Sequence, residues 1–381
     1  MPGACDSCLR RTWLVGRLGG HLDHQRGPID QILGLEDRAL LALWGAVASK
    51  RAARHRAGDR QAGETVRLDR EYTRFGAGPA QTMRDRAAAA GLELICRCDA
   101  AYPASLELLQ GPPAVLYVAG GSARLRELIE GGAVAVVGTR RPSAYGVELA
   151  RRIGRGLSAS GLAVVSGMAA GIDADAHRGA LAAGGRTVAV LPGCASEPYP
   201  KANRRLYGQI LESGVAVSEL GVGAPVRRWS LLARNRIIAA LAQFTLVVQG
   251  AGRSGALTTA ALAAELGRPV GAVPGSALAP QSEGPHSLLR AGAVLVCGPQ
   301  DVLDAVYGVG ARRAGDQARA QLRPEQRLLL DAIAAGADSV TALERQGGGE
   351  GGGGQLLVAL AELELAGCVR RAPGGRYVVC A

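Results

Sequence analysis

The sequence predicts an α/β protein: a doubly wound, Rossmann-like parallel sheet domain, flanked by a helical N-terminal domain and a small C-terminal winged-helix domain. Three observations carry this reading. Between residues 101 and 308, short, largely apolar runs alternate with helical stretches of about 10–15 residues, as a parallel sheet covered on both faces requires. Gly-rich turns follow several of those runs, where open α/β sheets place their ligands. Before and after that region the composition changes, to Arg/Ala-rich helical sequence on one side and to three helices with a hairpin on the other.

Residues 1–100 read as mostly helical, with helix-forming composition at Leu35–Val47 and Gln81–Ala90 and a polar, basic loop or helix end over Lys50–Arg70. Gly111-Pro112-Pro113 then breaks the chain, and Ala114–Val118 is the first strand candidate. The alternation proper begins at Val134–Val137 and continues through Ala163–Ser166, Thr187–Leu191, Val215–Ser218, Thr245–Gln249, Val270–Val273 and Val294–Val296. Helices are expected near Tyr145–Ser158, up to Ala183, near Asn203–Ser213, near Leu231–Ala242 and over Ser254–Leu266. Residues 309–322 read as a linker. In residues 323–381, helices at Pro324–Ile333, Val340–Arg345 and Gln355–Ala366 precede a hairpin whose turn is Pro373-Gly374-Gly375. Gly347–Gly354 holds seven Gly in eight residues and is expected to form a flexible loop, because ordering so much Gly has a high entropic cost.

The chain has 381 residues and a net charge of +11, with 44 Lys+Arg against 33 Asp+Glu. Only Lys50 and Lys201 are Lys. A phosphate-binding P-loop ends in Lys followed by Ser or Thr, and neither Lys is so followed, so that class is excluded. Apolar runs reach only about ten residues, as in Ala39–Ala48, against the ~20 that span a membrane. The N-terminus lacks the regions of a secretory signal, and a cytoplasmic location is expected. The net charge is +4 over residues 1–100, +6 over 101–310 and +1 over 311–381. A basic chain expects an anionic partner. With three Trp, eight Tyr and two Phe, contact with phosphates is a better expectation than base stacking. Cys5 and Cys8 form a C-x-x-C with no second pair at zinc-ribbon distance. His21 and His24 stand alone, so plain reduced thiols are expected and no metal or other cofactor is assigned.

Four turns stand where chemistry belongs. Gly138-Thr139-Arg140 closes the strand Val134–Val137 and opens a helix, placing Arg140 beside free helix N–H groups. Ser166-Gly167-Met168-Ala169-Ala170-Gly171 leads to Asp173 and His177. There an acid/base or metal pair is conceivable, but a helix cap and a structural His are the better expectation. The stretch Arg227–Arg236 holds four Arg in ten residues beside Trp229 and reads as a contact surface. Arg234 and Arg236 cannot share a helix face, so one of them is expected to hold the fold. Gly250-Ala251-Gly252-Arg253-Ser254-Gly255 is spelled G-x-G-x-x-G but lacks the acidic residue a dinucleotide site wants on the next strand. It reads as an anion cradle with Ser254 as helix cap and Arg253 as phosphate contact.

These turns, in this order, resemble the DNA-processing protein A family (DprA, also called Smf). The resemblance rests on Val134–Gly146, Val164–Leu181, Thr187–Asn203 with its Tyr199-Pro200-Lys201-Ala202-Asn203 end, Arg234–Leu241, Ser254–Thr259 and Val273-Pro274-Gly275. It covers roughly residues 100–300, and the flanking helical (SAM or helix-hairpin-helix-like) and winged-helix segments are similar in kind. The resemblance implies a non-enzymatic, dimeric protein that binds and protects single-stranded DNA and loads RecA during natural transformation. It implies a phosphate-binding pocket of Gly138, Thr139, Arg140, Ser166, Gly167, Gly171, Lys201, Asn203, Arg234, Asn235, Arg236, Arg253, Ser254 and Gly255. Gln249-Gly250 departs from the family pattern, in which an acidic residue followed by Ala is usual. The alternative is a Rossmann-like nucleotide hydrolase similar to the phosphoribohydrolases. Pro192–Glu197 lacks the Pro-Gly-Gly-x-Gly-Thr turn of that group.

Overall fold

The structure is a computed structural model and describes residues 3–25, 27–44, 58–311, 322–346, 353–365, 368–372 and 374–379. Its centre is one nine-stranded sheet. The strands are β1 (Glu93–Cys96), β2 (Val115–Ala119), β3 (Ala133–Val137), β4 (Ala163–Ser166), β5 (Thr187–Val190), β6 (Val215–Ser218), β7 (Phe244–Val247), β8 (Val270–Ala272) and β9 (Val294–Leu295). Their order is β1-β2-β6-β5-β4-β3-β7-β8-β9. From β6 across to β9 all neighbours are parallel. β2 runs antiparallel to both β6 and β1.

Strand alternation divides the core into two layers. In β3, Ala133, Ala135 and Val137 enter one cluster with Ile237, Ala240, Leu241, Ala256 and Ala260. Val134 and Val136 enter the other with Leu149, Ile153, Leu157, Ile172 and Ala176. The helices Arg228–Leu241 and Gly255–Glu265 therefore cover one face, and Ala144–Ala159 and Ile172–Leu181 the other. Burying a side chain such as Ile153 or Leu157 contributes about 1.5–3 kcal/mol. The second pair of helices meets almost backbone to backbone. A Cβ on Gly154 would lie 2.3 Å from the Ala176 carbonyl oxygen, and one on Gly179 would lie 2.2 Å from that of Arg151.

The expected strands are present within one or two residues at each end. Two differences are instructive. The sheet begins at Glu93, inside the stretch read as helical. β1 is a four-residue edge strand, half exposed, and too short to show a period. Gly58–Thr73 is a full helix of 16 residues, where Lys50–Arg70 left a loop or a helix end open. It is polar, but it buries Leu68 and Tyr72 and carries Arg67–Glu71 and Arg17–Glu71 ion pairs at 2.8 Å. Residues 45–57 and most of the expected linker and Gly-rich loop lie outside the described residues.

At the C-terminal end, helices Pro324–Ala334, Val340–Gln346 and Gly353–Leu365 are followed by β10 (Val369–Ala372) and β11 (Arg376–Val379), an antiparallel pair. Leu330, Ile333, Leu343, Leu360, Leu363, Val369 and Tyr377 share their own core. Three helices and a two-stranded wing are the winged-helix order the sequence predicts. Among the described residues no helix is long and apolar enough to cross a membrane.

Candidate nucleic-acid interface

In a parallel sheet all strands end on the same edge. The loops after β5, β4, β3 and β7 are thus neighbours along that edge, about 14 Å from first to last at ~4.8 Å per strand. β3 and β7 flank the point at which the strand order reverses, where open α/β sheets bind ligands.

Hydrogen bonds stitch these loops to one another. Thr139 N–H donates to the Gln249 carbonyl at 2.7 Å, joining the ends of β3 and β7. The Gln249 amide accepts from Ser143 N–H at 3.0 Å and donates to Ser143 Oγ at 2.9 Å. Ser143 in turn accepts from Gly146 N–H at 3.3 Å, capping Ala144–Ala159. A Gln both donates and accepts here, so one side chain bonds the backbone and the hydroxyl of Ser143. Ile172 N–H donates to the Thr139 carbonyl at 3.2 Å. That contact brings Gly171, at φ 85°, so close to the β3 loop that a Cβ would lie 2.4 Å from the Thr139 oxygen. Gly138 is confined likewise, between Ile172 and Gln249.

Beneath the loops lies a buried polar layer. Arg234 donates to the carbonyl of Gly167 and, at 3.1 Å, to that of Val190, and pairs with Asp173 at 3.6 Å. Asp173 also accepts from Ala169 N–H at 3.4 Å. Burial raises its pKa, opposed by the Arg234 charge. Asn203 donates to the Met168 carbonyl at 2.8 Å, holding Met168 in a left-handed conformation at φ 55°. His177 is wholly buried. Thr187 Oγ1 donates to the Val164 carbonyl at 2.8 Å and so accepts at 2.6 Å from His177 Nδ1, which carries the proton. Burial, with Arg234 adding to it, pushes the His177 pKa down to about 3, so the ring is neutral. Asp175 binds Arg151 and Arg178 at 2.8 and 2.9 Å. His177 thus serves the fold, as expected, whereas Asp173 does so as the partner of Arg234 and Ala169 N–H rather than as a helix cap, since the N-cap of Ile172–Leu181 is Gly171 without a side-chain bond.

The expected pocket residues consequently separate into two groups. Ser166, Asn203, Arg234, Asn235 and Arg236 are buried. Ser166 Oγ donates to the Val136 carbonyl at 2.6 Å, Asn235 reaches the Gly255 carbonyl at 3.4 Å, and Arg236 pairs with Glu219. These side chains are largely buried and engaged within the fold, unlike the exposed cations on the loops above them. For Arg234, Asn235 and Arg236 the reason is that the helix Arg228–Leu241 packs on the sheet and is covered on nearly every side. Trp229, expected on a contact surface, is also buried. Its backbone N–H donates to Asp23 at 2.9 Å, and its ring joins Leu14, Leu18, Leu22, Leu68 and Tyr72 of the N-terminal helices. Both Arg234 and Arg236, rather than one, hold the fold.

Arg140, Lys201 and Arg253 are exposed and, among the described residues, have no ion-pair partner. Arg140 lies near enough to Arg234 to perturb it electrostatically. Arg141, Arg204 and Arg205 are exposed beside them, and only their adjacency to Arg140 and Lys201 marks them in the sequence. The Gly250–Gly255 turn is less open than an anion cradle. Gly252 N–H donates to Glu283 Oε2 at 3.1 Å, so the amide that would face a pyrophosphate is already occupied. Ser254 caps Gly255–Glu265 by position only, without a side-chain bond to the helix.

The family model of DNA recombination-mediator protein A matches residues 93–307, more than half of the chain. The chain belongs to this DNA processing protein A family. It is 45% identical over 207 residues to the putative DNA processing protein DprA of Mycobacterium tuberculosis, a stretch that is 54% of this chain and 52% of that one. The chain thus spans about half the length of that relative. It is 36% identical over 283 residues to protein Smf of Escherichia coli, covering 72% of this chain and 74% of that one. DNA processing protein A of Streptococcus pneumoniae has a solved structure that superposes at a TM-score of 0.58 with 32% identity, over 70% of this chain and 92% of that one. A Helicobacter pylori DNA processing protein A, solved for its single-stranded DNA binding mode, superposes at 0.51 with 28% identity, over 57% and 96%. The match begins at Glu93, so the family unit includes β1.

Proposed function

We propose that this DNA processing protein A family member binds single-stranded DNA through the exposed cations at the strand-end edge, Arg140, Lys201 and Arg253, without being an enzyme. The observation that carries this reading is their exposure without carboxylate partners, on loops that a buried network holds in place. Loops fixed in this way present charge without ordering on binding, and a sequence-independent contact needs only charge and position. Gly138, Thr139, Gly167, Gly171, Ser254 and Gly255 shape the same edge. The single-stranded DNA binding mode of the Helicobacter pylori protein supports the choice of partner. In the same proposal the chain acts in the cytoplasm as a homodimer, protects incoming strands and passes them to a RecA-type recombinase.

The test is an electrophoretic mobility shift with single- and double-stranded oligonucleotides of one sequence across a salt series. Single strands are expected to bind more tightly, with log K falling against log salt at about 0.7 per phosphate neutralised. Equal or tighter binding of the duplex, or binding indifferent to salt, sinks the proposal. The recombinase step is read separately, as faster RecA filament growth on strands already coated with this protein. Unchanged growth removes that step alone.

A further inference from the structure

We propose that Cys5, Cys8, Cys96 and Cys98 form a four-thiolate site for a structural zinc ion that pins the N-terminal helix to the edge of the sheet. The C-x-x-C motif has no zinc-ribbon partner in sequence, yet the fold supplies one from the far side of the N-terminal domain. All four Sγ atoms lie within 4.8 Å of one another. Cys98 Sγ is 3.8 Å from both Cys5 Sγ and Cys8 Sγ. Four sulfurs about 2.3 Å from a central zinc form a tetrahedron with edges of about 3.8 Å. A disulfide requires about 2.05 Å, far shorter than these contacts.

The surroundings suit thiolates. Cys5 is the N-cap of the helix Asp6–Leu22 and Cys8 lies in its first turn. The unpaired N–H groups and partial positive charge of that terminus offset the charge of a tetrathiolate. Cys5 N–H donates to Cys96 Sγ at 3.5 Å, an outer-shell bond that orients a ligand. Cys96 ends β1, and the following turn is closed by Asp99 N–H on the Cys96 carbonyl at 2.8 Å, which turns Cys98 back toward the cluster. Four soft donors with no carboxylate or imidazole among them select zinc over magnesium or calcium. Four protein ligands leave no open position, and Cys8 and Cys96 are buried, so the site is structural rather than catalytic. The ion would join helix and strand across about ninety residues of chain, and its binding free energy would be folding free energy.

The test uses the full chain, purified under reducing conditions and reconstituted with zinc. Elemental analysis should find about one zinc per chain. Cys98→Ser should lose most of it, and Cys297→Ser, an exposed cysteine outside the cluster, should keep it. Cobalt in place of zinc should give the visible bands of tetrahedral cobalt with thiolate-to-metal charge transfer. Where Cys98→Ser does not fold, X-ray absorption on the zinc-loaded wild type counts the ligands directly, with four sulfurs at about 2.3 Å expected. A folded wild type that retains no zinc, a shell with nitrogen or oxygen in place of two or more sulfurs, or an equal loss in Cys297→Ser overturns the proposal.

Discussion

Arg234 and Arg140 lie near each other, yet do opposite work. Arg234 has 9% of its side chain exposed and Arg236 has 1%, the first beside the buried Asp173 and the second beside the mostly buried Glu219. Arg140, Lys201 and Arg253 stand on the loops above with no such partner among the described residues. The buried pair organises carbonyls and acids under the loops. The rim leaves its charge available. In a chain where Arg makes up nearly all of the positive charge, residue type says little about role. What decides it is whether a carboxylate waits inside the fold to receive the guanidinium.

The largest effect that can break this comparison is removal of a buried guanidinium. Arg236→Ala strands Glu219, and Arg234→Ala strands Asp173 and two carbonyls. Each should destabilise by about 3–5 kcal/mol, as expected when one partner of a buried pair is deleted. Urea unfolding followed by circular dichroism reads this. If Arg234→Ala is nearly as stable as wild type but loses DNA binding, Arg234 belongs to the rim.

His177 gives a second, pH-dependent handle on the buried layer. Its folded pKa is lowered to about 3, first by burial and then by Arg234, against about 6.5 when unfolded. The unfolded chain therefore binds more protons between these values. The stability this neutral His contributes is complete above about pH 6.5 and declines as pH falls toward 3, by up to about 1.4 kcal/mol per pH unit. Asp173, whose pKa burial raises, works in the opposite sense but is present in wild type and variant alike. Between about pH 7.5 and about pH 5, wild type should thus lose more stability than His177→Asn. Equal losses mean that His177 is not held neutral in solution.

The contrast between rim and interior also shows what could be read from the residues alone. The strands were legible because strands buried on both faces are nearly all apolar, as in Val134–Val137 and Val215–Val217. The turns were legible because close approach excludes side chains, and Gly138 and Gly171 each occupy space a Cβ would fill. β1 was not, since a four-residue edge strand shows no period. The fate of Arg234 and Arg236 was not either, because their partners Asp173 and Glu219 lie on other elements. The cysteine cluster was half legible: Cys5 and Cys8 advertise a motif, whereas Cys96 and Cys98 join it only because the N-terminal helix packs against the sheet at the end of β1.

At the rim the expected effect is smaller and of another kind. Arg140→Ala should weaken single-stranded DNA binding about tenfold at ~0.1 M salt and lower the salt slope by about 0.7, the signature of one lost phosphate contact. The urea midpoint should not move, since Arg140 holds no partner inside the fold. A tenfold loss that persists unchanged at high salt would falsify the assignment of Arg140 as a charge contact.

The smallest expected effect probes the boundary between the two regions. Glu283 touches the rim turn that carries Arg253, accepting the Gly252 N–H at 3.1 Å. Glu283→Gln keeps an acceptor for that amide and removes one negative charge from the edge where DNA phosphates would pass. A partly exposed charge near a surface anion is screened, so binding should tighten only about two- to threefold at low ionic strength. The gain should vanish once the Debye length shrinks to ~3 Å near 1 M salt. The turn itself should keep its shape, so Arg253→Ala in the Glu283→Gln background should cost more affinity than in wild type, where Glu283 already offsets part of the Arg253 charge. If instead Glu283→Gln weakens binding at all salt concentrations, the bond to Gly252 positions Arg253, and Glu283 is a structural anchor of the rim.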